Sequence, residues 1–232
     1  YGFNPTPEIT LTGNTGGTGP IASGSLTPLV GNNTLYTTQI VGVTNQTKDF
    51  KIKNDGTTVL TLTGVSPYIT IGGTNPSDFS LVTFPSTPNM NLGFFKTFSI
   101  NFNPTAPGIR TAIVSIANND SNENPYTFLI QGTGISPEMD VTGNGQPVVS
   151  GSTVPTFVND TFFDYININA TTNDRIFTVQ NNGTSPLNIG AITISGPAAT
   201  EYSILTTPAA TLAIGASTTF TIRFDPSSVG LK

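Results

Sequence analysis

The sequence predicts an all-β chain built as two tandem β-sandwich domains, the second lacking its last two strands. Three observations carry this expectation. Long segments recur in the same order along the chain, apolar residues fall at every second position within them, and clusters of Gly, Pro, Asn and Asp separate them. Turn signals spaced about 8–12 residues apart are those of a sandwich of short strands.

The repeat comes first because it sets the domain organisation. Pro7-Glu8-Ile9 and Thr12-Gly13-Asn14 return as Pro137-Glu138-Met139 and Thr142-Gly143-Asn144. Phe50-Lys51-Ile52-Lys53-Asn54-Asp55-Gly56-Thr57 returns as Phe177-Thr178-Val179-Gln180-Asn181-Asn182-Gly183-Thr184. Leu60-Thr61-Leu62 matches Leu187-Asn188-Ile189, and Asp78-Phe79-Ser80-Leu81 matches Glu201-Tyr202-Ser203-Ile204. Thr97 to Pro104 returns as Thr219 to Pro226. The offset shrinks along the chain, so the second copy has shorter loops. The domains are read as residues 7–134 and 135–232, with residues 1–6 the tail of a preceding repeat or a linker.

The repeated segments also define the strands. Phe50 and Ile52, then Phe98, Ile100 and Phe102, alternate with polar residues, the pattern of a strand with one buried face. Asn54-Asp55-Gly56 and Asn181-Asn182-Gly183 predict turns, because these residues tolerate positive φ. Residues 109–116 and 126–130 predict two strands joined across 118–125. No segment has the three-and-four apolar spacing of a helix.

Composition narrows the function classes. The 232 residues include 8 Lys+Arg and 13 Asp+Glu, and charged residues make up 9% of the chain, where a soluble domain averages about 25%. There is no Cys, His or Trp. A Cys/His zinc site, a thiolate nucleophile and a Ser-His-Asp triad are therefore excluded, as is any disulfide. Eight scattered basic residues supply no stripe for nucleic acid. No apolar run approaches the roughly 18 residues that span a bilayer, so direct membrane insertion is not expected. The chain is not expected to be an enzyme or to carry a cofactor. A polar surface of Thr, Asn, Ser and Gly with few lysines suits a secreted or surface-displayed bacterial protein, so the expected localisation is extracellular, at the bacterial cell surface.

Phe98-Ser99-Ile100-Asn101-Phe102-Asn103-Pro104, Gly108 and Ala112-Ile113-Val114-Ser115-Ile116, followed by Asn118, resemble the ASPM/SPD-2/Hydin (ASH) type of immunoglobulin-like domain. With Asn119 to Gly134 added, the string is similar to the tandem repeats of bacterial surface proteins of the choice-of-anchor D type. The resemblance covers nearly the whole chain. It implies immunoglobulin-like sandwiches in a long anchored repeat protein, and it carries no catalytic residues.

Gly108-Ile109-Arg110 aligns with Gly230-Leu231-Lys232, so the second copy has no match to residues 111–132 within this sequence. Two expectations follow. Either the sequence is an excerpt of a longer repeat polymer, or a neighbouring molecule supplies strands by β-addition in a head-to-tail filament.

Candidate sites are few. Asp120 and Glu123, among the amides of residues 118–124, offer oxygens of the kind Ca²⁺ takes, against the simpler reading of a polar hairpin loop closed by Pro125. Asp160 and Asp164 flank Phe162-Phe163 and are the carboxylates placed to pair as acid and base, or are solvated loop residues. Asp140 and Asp225 are expected to bind nearby backbone amides. Phe94, Phe95, Phe162 and Phe163 are the interaction candidates, as sugar-stacking aromatics or as core, and a strand through Phe94-Phe95 would turn one of the two outward. Asn-x-Ser/Thr sequons stand at Asn32, Asn45, Asn119, Asn159, Asn169 and Asn182.

The expected function is a structural and interaction module of an extracellular stalk, filament or adhesin, acting by spacing and display. Its partners would be neighbouring repeats or identical subunits, with polysaccharide the partner in the alternative reading. Residues 132–136 read as a short ordered linker, with Ser136 held extended by Pro137. Small-angle scattering of the tandem is accordingly expected to fit one interdomain arrangement; freely reorienting domains would refute it.

Overall fold

The computed structural model describes residues 5–168 and 172–230. The chain divides between Ile135 and Ser136 into two compact units.

In the first unit the alternating segments become eleven strands: β1 (Ile9–Gly13), β2 (Pro20–Ile21), β3 (Gln39–Ile40), β4 (Gln46–Asn54), β5 (Leu60–Thr61), β6 (Ile69–Gly72), β7 (Phe79–Thr83), β8 (Asn89–Met90), β9 (Phe95–Phe102), β10 (Gly108–Ile116) and β11 (Tyr126–Ile135). One sheet has the order β2-β1-β4-β9-β7, a second has β3-β11-β10-β6, and β5 pairs with β8. With β1, β4, β6, β7, β9, β10 and β11 lettered A to G, the sheets read A-B-E-D and G-F-C. That is the constant-type immunoglobulin arrangement. The inward residues of both sheets meet in one core. Phe50, Ile52, Phe98, Ile100 and Phe102 on the first sheet and Ala112, Val114, Ile116 and Ile130 on the second are all fully buried. Phe50 stacks on Phe98 at 5.1 Å between centroids and meets Phe128 of the opposite sheet at 5.7 Å.

The second unit repeats the first sheet. Its strands are β12 (Met139–Gly143), β13 (Gln146–Pro147), β14 (Asn173–Asn181), β15 (Leu187–Asn188), β16 (Tyr202–Thr206), β17 (Thr211–Leu212) and β18 (Ser217–Phe224). They form a sheet of order β13-β12-β14-β18-β16 and a β15–β17 pair. The register is preserved: Phe50 opposes Phe98 in the first unit, and Phe177 opposes Phe220 in the second. Among the described residues the second unit has no counterpart of the β3-β11-β10-β6 sheet. The consequence is visible at Ile192-Thr193-Ile194, which matches Ile69-Thr70-Ile71. The earlier copy is strand β6 because it pairs with β10; the later copy is not a strand. Burial follows the same division. Phe98 and Ile100 are fully buried, whereas Phe220 and Ile222 are only partly buried.

Several expectations are corrected. The Asn54-Asp55-Gly56 and Asn181-Asn182-Gly183 turns do not use positive φ at these residues. Instead the Asn54 side chain is buried; its Nδ2 donates to the carbonyls of Thr58 (2.7 Å) and Met90 (2.9 Å), and its Oδ1 accepts the Gly56 N–H at 3.0 Å. Asn181 repeats this with Ser185 (2.9 Å), Leu212 (3.2 Å) and Gly183 (3.0 Å). Gly56 is required by close approach, since a Cβ there would stand 2.4 Å from the Thr6 carbonyl and the Glu8 amide nitrogen. The expected linker is also partly strand. Residues 132–135 extend β11, and Gly132 leaves room for the Phe102 ring, which a Cβ would meet at 2.3 Å. Three 3₁₀ turns, at Val30–Asn32, Pro76–Asp78 and Ala199–Glu201, add helical structure that apolar spacing did not signal. Among the described residues no helix is long and apolar enough to cross a membrane.

Asn54→Ala is expected to destabilise the first unit by about 2–3 kcal/mol, because three buried backbone groups lose their partner. Native-state hydrogen exchange of β4 and β9 reads the loss; a change under about 0.5 kcal/mol would refute the role assigned to this amide.

Candidate functional site

The segment between β10 and β11 is a polar hairpin loop whose Asn118 and Asp120 turn inward onto the first unit. Asn118 is buried; its Nδ2 donates to the carbonyls of Ile116 (3.1 Å) and Glu123 (3.0 Å), and its Oδ1 accepts the Asp120 N–H at 2.8 Å. Asn119 accepts the Thr61 N–H at 2.7 Å and donates to the Val59 carbonyl at 3.1 Å, which ties the segment to β5. Asp120 is thereby carried inward to 1% exposure, where its Oδ2 accepts the Ile9 N–H at 2.9 Å. That bond brings Glu8 alongside. Carboxylate oxygens of Glu8, Asp120 and Glu123 lie within 4.8 Å of one another.

These three are the residues, among those described, grouped closely enough to hold a cation. Asp120 and Glu123 were legible as a pair; Glu8 was not, because it comes from the opposite end of the domain and only the Asp120–Ile9 bond places it. Three carboxylates fall short of the six to eight oxygens that Ca²⁺ takes, and Asp120 is already committed to backbone N–H groups. The electrostatics are repulsive. Burial raises the Glu123 carboxyl above the ordinary glutamate value, with Glu8 and Asp120 adding to it. Its Oε2 is buried without a hydrogen-bond partner. The adjoining Tyr126 hydroxyl, which donates to the Ile21 carbonyl, is pushed up to about 12, first by burial and then by Glu123.

The aromatic candidates separate. Phe94 and Phe95 are 64% and 60% exposed, so both turn outward where one was expected. The reason is local: Phe94 closes a turn, its N–H donating to Asn91 at 3.0 Å, and β9 begins only at Phe95. The Lys51 ammonium lies 5.8 Å from the Phe95 ring centroid. Phe162 and Phe163 belong to the second unit and are half-buried. Phe162 packs on Phe157 at 4.4 Å, and Phe163 meets Tyr202 at 5.4 Å. Phe163 occupies the place that Tyr36 holds in the first unit, where Tyr36 meets Phe79 at 5.7 Å.

On the inner face of the second unit's sheet lies a cleft of about 400 Å³, lined by Phe163, Phe177, Ile194, Tyr202 and Ile222.

The remaining candidates are occupied individually. Asp160 lies 3.6 Å from the Arg175 guanidinium, and Asp164 accepts the Tyr165 N–H at 2.8 Å. Asp140 accepts from the Asn182 side chain at 2.5 Å, an amide of a side chain and not of the backbone. Besides Asn119 and Asn182, two further sequon asparagines have structural work. Asn32 donates to the Pro20 carbonyl at 3.0 Å and accepts the Thr34 hydroxyl at 2.7 Å; Asn159 does the same with Pro147 at 3.1 Å and Thr161 at 2.7 Å. Asn169 lies outside the described residues.

No protein-family model matches the sequence, and no curated protein matches it. Among solved structures the chain is similar to a protein of unknown function from Porphyromonas gingivalis W83, at 13% identity over 83% of this chain and 80% of that one, with a TM-score of 0.30. It is similar to the ASH/PapD-like domain 7 of human CEP192, at 15% identity over 60% and 92% of the two chains, with a TM-score of 0.35. The secreted serine protease VesC of Vibrio cholerae gives 11% identity over 82% of this chain and 44% of its own, with a TM-score of 0.36. The immunoglobulin-like assignment rests on the strand order described above.

Removing one charge from the carboxylate trio is expected to stabilise the first unit. A raised carboxyl binds more protons folded than unfolded, so stability falls as pH rises from the ordinary glutamate value through the raised one. Glu123→Gln should therefore gain stability over the unsubstituted protein at pH 7, and the gain should fade as pH falls to the ordinary glutamate value and below. Denaturant unfolding of both proteins across pH 3–8 checks this; a pH-independent difference would refute it.

Proposed function

We propose that this chain is a structural and interaction module, a pair of repeats from an extracellular bacterial surface stalk, filament or adhesin that acts by spacing and display. One observation carries the reading: the two units share their framework and not their surface chemistry. The buried amides Asn54 and Asn181, the Asn32 and Asn159 clamps and the inward aromatics are duplicated. The exposed pair is not. Gly93 and Gly215 share a positive φ, of 77° and 74°, but Phe94-Phe95 after the first becomes Ala216-Ser217 after the second. A repeated frame without a repeated site is what a spacer needs, since each repeat contributes length and contacts with its neighbours. The neutral Thr/Asn-rich composition, with 9% charged residues, supports an extracellular location.

The exposure of Phe94 and Phe95 favours a second reading, in which the first unit grips polysaccharide by stacking sugar rings on these faces. A glycan array with the unsubstituted protein and the Phe94→Ala/Phe95→Ala double variant separates the two. The spacer reading expects no glycan retained by either protein; retention that the double variant loses would replace it with the carbohydrate reading. Antibody labelling of intact source cells tests the surface location directly.

A further inference from the structure

The sequence holds two Asn-Gly pairs, Asn144-Gly145 and Asn182-Gly183. Both carry the groups for one self-reaction. The backbone nitrogen of the residue after an asparagine can attack the side-chain carbonyl carbon, and glycine, with no Cβ, hinders that approach least. Attack needs a backbone N–H that is not already bonded and a side-chain amide free to turn towards it. The fold denies both to one pair and allows both to the other.

Asn182-Gly183 is locked. The Gly183 N–H donates to the buried Asn181 Oδ1 at 3.0 Å, and the Asn182 amide donates to Asp140 Oδ2 at 2.5 Å. Gly183 is also wedged against the start of its unit, since a Cβ there would stand 2.3 Å from the Glu138 nitrogen. Asp55-Gly56 in the first unit is locked in the same way. Its Gly56 N–H is held by Asn54 Oδ1 at 3.0 Å, and the Asp55 carboxylate accepts the Thr10 hydroxyl at 2.7 Å.

Asn144-Gly145 is open. The two residues form the loop of the β12–β13 hairpin, where Gly143 opposes Gln146, and their φ values of 51° and 70° are those of the turn that Asn-Gly favours. Residues 144–147 are exposed, and nothing lies within 4 Å of where a Gly145 Cβ would stand. Among the described residues the Gly145 N–H has no partner. The Asn144 amide makes one long bond, to the Val158 carbonyl at 3.4 Å. Strand β13 has two residues, lies at the sheet edge and includes Pro147, which brings no N–H to the ladder. The hairpin therefore opens at small cost, which lets Asn144 rotate into the geometry of attack. The matching turn of the first unit has Thr15 after Asn14, and its branched side chain crowds the attacking nitrogen.

We propose that Asn144 is a self-modification site, at which the folded chain deamidates through a cyclic imide. The Gly145 nitrogen gives up its proton and bonds to Asn144 Cγ. The Cγ–Nδ2 bond breaks, and the side-chain nitrogen leaves as ammonia with that proton. Water then opens the ring. Addition at Cγ gives aspartate; addition at the main-chain carbonyl carbon leaves the chain running through the side chain, as isoaspartate. Either product makes the net charge of -5 more negative by one. Isoaspartate also adds a carbon to the turn whose length sets Gly143 against Gln146, so that register is lost.

The test incubates the full chain at pH 8, folded and, in parallel, unfolded in denaturant. Peptide mass spectrometry follows amide-to-acid conversion at both asparagines, and isoaspartyl methyltransferase labels the rearranged product. In the folded protein Asn144 is expected to convert at least about tenfold faster than Asn182, whose reaction waits on local opening. In denaturant, where neither pair keeps its bonds, the two rates should converge. Asn144→Gln, whose longer side chain closes a larger ring more slowly, should abolish conversion at that position and leave Asn182 unchanged. Equal rates at the two sites in the folded protein, or conversion of both only in denaturant, would overturn the proposal. A rate difference that persists in denaturant would also overturn it, by assigning the difference to neighbouring sequence and not to the fold.

Discussion

A sheet with one apolar face has to take that face out of water, and most of this structure follows from how each unit meets the requirement. In the first unit the A-B-E-D sheet is roofed by G-F-C, and Phe50, Phe98, Phe102 and Phe128 interlock between them. Burial of this kind depends on area and not on direction, so it fixes which faces meet but not which strands pair. Pairing is decided at the edges. Ile69-Thr70-Ile71 is a strand beside β10, while the equivalent Ile192-Thr193-Ile194 is irregular. Two identical tripeptides take different structures because a strand's hydrogen bonds belong to its neighbour as much as to itself.

Within that frame the chain, which has no Cys, relies on neutral polar groups to close its loops. Asn54 and Asn181 each satisfy two carbonyls and an N–H at the point where a strand leaves the sheet. Asn118 does similar work under the hairpin, and the Asn32–Thr34 and Asn159–Thr161 pairs hold the loops after β2 and β13. An amide both donates and accepts, so it closes a loop without the desolvation cost of a buried charge. The abundance of Asn and Thr, read from composition alone as suited to exposed strand faces and turns, is thus partly internal architecture. The buried carboxylates fit the same logic where they are bonded: Asp78 meets Arg110 and Thr105, and Asp120 meets the Ile9 N–H. The exception is Glu123, held near two other carboxylates with one oxygen unpartnered.

By itself the sequence determined the tandem repeat, the all-β class and the inward residues of the long strands. These are local properties: alternation marks a face, and a repeated segment repeats its pattern wherever it folds. It also placed Asp120 and Glu123 together, because they are neighbours in one loop. Glu8 was invisible beside them, since its position is set by a backbone bond formed across the whole domain. Phe94 and Phe95 were visible as a pair, but their shared exposure depends on where a turn ends and a strand begins, which alternation does not define. The tertiary structure alone decided that Asn54 and Asn181 act through buried side chains, that residues 132–135 are strand, and that Phe163 stands where Tyr36 does. Each is a contact between segments distant in sequence, and such contacts are settled by which surfaces the completed sheets bring together.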